Sequence, residues 1–146
     1  MKKIFLILIL GIISSASFAC PNLSGEYFNE DFGTYYSIQQ DSCDLLQYVY
    51  DEGIVDAPVD GVEYIDNDYD IIVEEGKILA NVKIFSSRVF KGDKLITNER
   101  SLTTYSNGDT EEEKGFSEKF LDKKNNLVTI EHTKNGNHKI IEKRVK

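Results

Sequence analysis

Beyond residue 20, apolar and polar positions mostly alternate with a period of two. Ile78, Ala80, Val82 and Ile84 alternate with Lys77, Leu79, Asn81 and Lys83, which gives a strand with one apolar and one mixed face. No stretch longer than two turns sustains a helical period. The pattern predicts strands at Ser24–Phe28, Thr34–Gln40, Leu45–Tyr50, Gly61–Ile65, Tyr69–Val73, Lys77–Phe85, Arg88–Phe90, Lys94–Tyr105, Glu111–Leu121, Leu127–Thr133 and His138–Val145. Polar turns separate them. Asn107-Gly108 is the strongest hairpin signal, because a type I′ turn needs two residues that tolerate positive φ. Asp51 to Gly61, with Gly53 and Pro58, reads as the longest loop. Short strands joined by tight turns predict an all-β, antiparallel up-and-down meander. Closing it into a small barrel hides the edges that would otherwise template aggregation; a two-sheet sandwich is the alternative.

The first residues follow another pattern. Lys2 and Lys3 precede an apolar run from Ile4 to Ile13, and Ser14-Ser15-Ala16-Ser17-Phe18-Ala19 supplies small residues for signal peptidase. The run is too short to span a bilayer, so residues 1–19 read as a secretory signal and residues 20–146 as a single domain without a transmembrane segment. The expected location is periplasmic or secreted. In an oxidising compartment Cys20 and Cys43, the only cysteines, have only each other to pair with inside the chain. A hairpin with Tyr27 opposite Tyr36 also sets Cys20 opposite Cys43. Acylation of Cys20 is the rival use, but Ser17 and Phe18 depart from the residues that normally precede a lipidated cysteine.

Charge narrows the partners. From Cys20 to Glu75 there are fifteen acids and no Lys or Arg, whereas Gly76 to Lys146 holds ten acids and fifteen bases. An acidic mature chain of this kind disfavours nucleic acid and anionic membranes. Solvated loops account for such a charge run, and an acidic face recruiting a cationic protein is the sharper alternative. Asp66-Asn67-Asp68-Tyr69-Asp70 begins like a calcium loop, but Ile71 stands where glycine is needed and Lys77 where a bidentate glutamate is needed. No metal or cofactor is therefore expected. His132 shares strand parity with Val128 and Ile130, His138 follows a turn, and neither has a readable catalytic partner. Seven of the eight tyrosines fall in the acidic half; Tyr48 and Tyr50 share a face, where they suit a core, a pocket or an interface.

Leu23-Ser24-Gly25-Glu26-Tyr27 opens the first strand of the mature chain, and Arg144 lies near the end of the last. This arrangement resembles the lipocalin-like, or calycin, barrels, in which a Gly-x-Trp on the first strand lies beneath a basic residue from the last. Tyr27 stands in place of the tryptophan. The resemblance implies a barrel closed by Gly25, Tyr27 and Arg144, and a noncatalytic binding protein for a small apolar or amphipathic ligand. Ile78, Ala80, Val82, Ile84, Val128, Ile130 and His132 are then the pocket-lining candidates. An acidic protein-binding or inhibitor module facing a cationic protein is the competing expectation.

Overall fold

The computed structural model describes residues 20–73 and 76–145; the expected signal segment lies outside the described residues. Ten antiparallel strands form a single sheet: β1 (Gly25–Asn29), β2 (Thr34–Gln39), β3 (Leu45–Tyr50), β4 (Gly53–Pro58), β5 (Tyr64–Ile72), β6 (Ile78–Lys91), β7 (Lys94–Tyr105), β8 (Thr110–Leu121), β9 (Leu127–Thr133) and β10 (Gly136–Arg144). The order across the sheet is β4-β3-β2-β1-β10-β9-β8-β7-β6-β5. Sequence neighbours therefore pair throughout, except that β4 and β5 stand at opposite edges while β1 pairs with β10. The sheet curls into a half-barrel. Among the described residues no helix is long and apolar enough to cross a membrane.

Several departures from the sequence reading have physical causes, beginning with the expected strands Lys77–Phe85 and Arg88–Phe90, which an unbroken ladder to β7 joins into β6. The expected Asp51–Gly61 loop instead contains β4, which pairs Ile54 with Val49 and Val55 with Tyr48 after a turn at Asp51 and Glu52. Pro58 is tolerated because β4 is an edge strand, where the missing N–H breaks no ladder. The two short strands expected between Gly61 and Val73 are one strand, β5, whose register slips between Ile65 and Asn67. Asn107 avoids the positive φ of a type I′ turn. Only Gly108 takes it, at 91°, while Gly108 N–H bonds Tyr105 O at 2.9 Å and the Asn107 side chain accepts from Asp109 N–H at 3.0 Å. The result is a longer turn closed by a left-handed glycine.

Tyr27 does lie opposite Tyr36, and Cys20 and Cys43 form a disulfide with their Cα atoms 5.6 Å apart. Such a bridge belongs to a non-reducing environment. It tethers the segment leading into β1 to the turn between β2 and β3, restricting fraying there.

The concave side changes character along its length. Leu23, Tyr27, Ile38, Leu46, Leu95 and Leu127 are almost completely buried and form the apolar core, with Phe90 and Leu121 packed against it. Directly opposed residues of an antiparallel pair share a face, so the register extends this face strand by strand. Two steps along, Leu95 gives way to Thr97 and then Glu99, Leu121 to Lys119 and then Ser117, and Leu127 to Thr129 and then Glu131. The apolar plug thus continues into a polar trough.

Candidate functional site: a polar trough on the concave face

Two cavities share the trough. One, of about 440 Å³, is lined by Tyr48, Tyr50, Arg88, Glu99, Lys119 and Glu131 among others. The second, of about 270 Å³, reaches Phe32, Tyr36, Ile140 and Glu142 and shares Tyr48, Tyr50, Lys119, Thr129 and Glu131 with the first. A third, of about 370 Å³, joins it at Glu99, Ser117 and Glu131. The first and third fall in the size range of small-molecule sites, and the second lies just below it.

The tyrosines come from the β2–β3 hairpin, where alternation turns Tyr36, Tyr48 and Tyr50 to the same side. Tyr36 stacks on Tyr48 at 6.2 Å and on Tyr50 at 5.6 Å between ring centroids. The Tyr36 hydroxyl donates to Glu142 Oε2 at 2.7 Å, and Asn29 Nδ2 donates to Glu142 Oε1 at 2.8 Å. Glu142 is 5% exposed, so both its oxygens are occupied where water hardly reaches. Burial, reinforced by the bond to Glu142, pushes the Tyr36 hydroxyl's pKa above its ordinary range.

Lys119 rises from β8 between the two shared cavities. Its Nζ donates to Tyr48 Oη at 3.4 Å and lies 5.0 Å from the Tyr48 ring centroid. Desolvation, the largest influence, pulls its pKa down; Tyr48 and Glu142 more than reverse this, leaving the ammonium above its ordinary value. Glu99 keeps contact with solvent along the open trough. Even so, the surrounding walls and then the Glu131 carboxylate raise its pKa against the opposing pull of Arg88. Arg88 itself is paired with Asp66, which also accepts from Ser86 Oγ at 2.5 Å. The register slip in β5 falls at Asp66, and such a bulge re-aims a side chain. Asp68 and Asp70 instead accept from Asn81 Nδ2 at 2.9 and 3.0 Å, so the three aspartates do not converge.

The expected pocket residues divide. Ile84 and His132 line the third cavity. Ala80 and Val82 are buried, whereas Ile78 is 52% exposed. On β9, Val128 lies opposite Phe120 and Ile141, and Ile130 opposite Glu118 and Lys139. Both therefore occupy the face away from Thr129 and Glu131. His132 stacks on Phe116 at 4.2 Å, its enclosed Nε2 lacking a hydrogen-bond partner and lying 3.9 Å from Glu118. Taking the apolar set of β9 as the inner one leaves out Thr129 and Glu131, and with them their register neighbours Lys119 and Ser117 on β8. The available signal was Leu127, whose parity carries Thr129 and Glu131 inward.

Gly25, Tyr27 and Arg144 do come together. Tyr27 and Arg144 are register partners, Arg144 Nη2 donates to Ser24 O at 2.6 Å, and Tyr27 Oη donates to Leu23 O at 2.7 Å. A Cβ on residue 25 would stand 2.8 Å from Arg144 Nε and 3.1 Å from Tyr27 Oη; glycine leaves room for the guanidinium. Compared with family models, curated proteins and solved structures, the chain matches none.

Proposed function

We propose that the protein is an exported, noncatalytic, lipocalin-like binding protein that takes a small amphipathic molecule into the concave trough. The observation that carries this reading is the continuous space shared around Lys119, bounded by stacked tyrosines and by charged groups on neighbouring strands. Gly25, Tyr27 and Arg144 act as the closing end, and the disulfide holds the segment that enters it. The lining favours an amphipathic over a wholly apolar ligand, since an apolar surface would strip water from Lys119 and Glu131 without replacing its hydrogen bonds.

A thermal-shift screen of amphipathic and ionic small molecules tests the trough. A ligand present at a hundredfold excess over its Kd is expected to add about 2.7 kcal/mol of stability. Ser117→Trp, which fills the space between cavities, should abolish that gain. A screen in which no class of small molecule raises the melting temperature counts against the reading.

A second reading has one observation in its favour. Edge strand β5 exposes Tyr69, Ile71 and Ile72 beside Asp68 and Asp70, the composition of a surface for a cationic protein. Its association should slow steeply as salt rises, because screening shortens electrostatic steering. Stopped-flow mixing at low and high salt measures this. Rates that ignore salt and survive Asp68→Asn with Asp70→Asn would remove the acidic edge from consideration.

A further inference from the structure

Lys119 and Glu99, of opposite sign, face the same cavity, and among the described residues neither is held in an ion pair, although the Glu142 carboxylate supports the Lys119 charge through space. Lys119 has three N–H donors, and its hydrogen bonding is limited to Tyr48, at a long 3.4 Å. No carboxylate among the described residues forms an ion pair with it. Glu99 likewise has no hydrogen bond or ion pair among the described residues, and Glu131, across the trough from it, has only His138 Nδ1 at 3.4 Å. The other charges nearby are already committed: Arg88 to Asp66, and Glu142 to Tyr36 and Asn29.

Resting on the trough as the binding site, we propose that its ligand is a small zwitterion, an amino acid or short peptide whose carboxylate meets Lys119 and whose protonated amine lies between Glu99 and Glu131. A lone anion would satisfy Lys119 yet be repelled by the two glutamates. A lone cation would relieve the glutamates and leave the N–H donors of Lys119 without an anion to bind. A zwitterion serves both, and charge-assisted hydrogen bonds of this kind are the strong ones. Tyr50, 44% exposed, offers its ring to an aromatic or apolar side chain. The cavity holding Lys119, Glu99 and Glu131, about 440 Å³, accommodates a molecule of that size.

Calorimetric titration of the oxidised, exported protein decides the matter, with the twenty amino acids, glycyl-phenylalanine, 3-phenylpropionate, 2-phenylethylamine and decanoate as probes. At least one zwitterion should bind. Where it is phenylalanine or its dipeptide, each single-charge analogue should bind at least about tenfold more weakly, as expected when one of two charge-assisted hydrogen-bonding ends is lost. Lys119→Met should reduce zwitterion binding by a similar factor while sparing phenylethylamine, and Glu99→Gln should reduce it while sparing phenylpropionate. Circular dichroism checks that both variants fold. Phenylpropionate or decanoate binding as tightly as any zwitterion, unaffected by Glu99→Gln, would overturn the zwitterion and leave the trough reading standing. Binding by none of the probes, together with a blank thermal-shift screen, would overturn both.

Discussion

Tyr27→Ala is expected to destabilise the protein by about 3–5 kcal/mol, the usual consequence of removing a fully buried aromatic ring. Tyr27 has no measurable exposure and belongs to the core shared with Leu23 and Ile38. Its hydroxyl also satisfies the Leu23 carbonyl, so the truncation orphans a polar group as well as opening a cavity. Arg144→Ala should cost less, since the guanidinium is exposed while it bonds Ser24 O. The informative quantity is the coupling. Urea unfolding of both single variants and the double variant should give an interaction energy of about 0.5–3 kcal/mol if the two residues close the half-barrel as a unit. Additive losses would mean that Gly25, Tyr27 and Arg144 are neighbours without a shared closing role.

Glu142→Ala is expected to lose about 1–3 kcal/mol for each buried hydrogen-bonding group that it leaves unsatisfied. It strips acceptors from Tyr36 and Asn29 together and removes a carboxylate that supports the Lys119 ammonium. Tyr36→Phe is the milder companion, and its signature is in pH. The folded protein holds the Tyr36 proton more tightly than the unfolded chain does, so the unfolded state is the first to release it. The stability from this protonated hydroxyl is complete below the ordinary tyrosine pKa of about 10 and declines as pH rises above it. Urea midpoints measured between about pH 9 and 11 should therefore fall less steeply in Tyr36→Phe than in the parent. Some slope remains, because burial raises Tyr27 and Tyr50 in the same direction. Equal slopes in the two proteins would refute the role given to the Tyr36–Glu142 bond.

The strands whose alternation is cleanest are legible in the sequence: β3, β7 and β9 fall at the residues expected from pattern alone. So are the Cys20–Cys43 pairing and the register of Tyr27 with Tyr36, since a hairpin with a short turn leaves little choice. β4 was hidden because Gly53, Asp56 and Pro58 are poor strand formers, and only its position at an edge makes them acceptable. The trough was hidden for a different reason. Period-two alternation sorts β9 into Val128, Ile130 and His132 against Leu127, Thr129 and Glu131, but does not say which set turns inward; an offset of one residue exchanges the faces. Apolarity points to the first set. The curl of the sheet selects the second, because Leu127 belongs to the core.

The pairing of β1 with β10 has a consequence for how the molecule comes apart and together. Every other joint in the sheet links strands adjacent in sequence, so β1–β4 and β5–β10 are two arrays, each assembled from local hairpins. Within the sheet they meet along one short ladder, Tyr27 with Arg144 and Phe28 with Lys143, and across the concave face they share the core in which Leu23, Ile38 and Leu46 pack with Leu95 and Leu127. Side-chain bonds reinforce it, including Asn29 with Glu142, the Lys143–Glu30 ion pair, and Arg144 with Ser24 across 120 residues of sequence. Contacts so remote in sequence carry the largest loop-closure cost and form late, after local hairpins have become stable. The line between β1 and β10 is therefore expected to join after the hairpins on either side of it, and opening it in partial unfolding also opens the shared core. Tyr27 lies on that line, and Glu142 ties β10 to Asn29 and Tyr36 across it, so residues that wall the trough also help decide whether the two arrays stay joined.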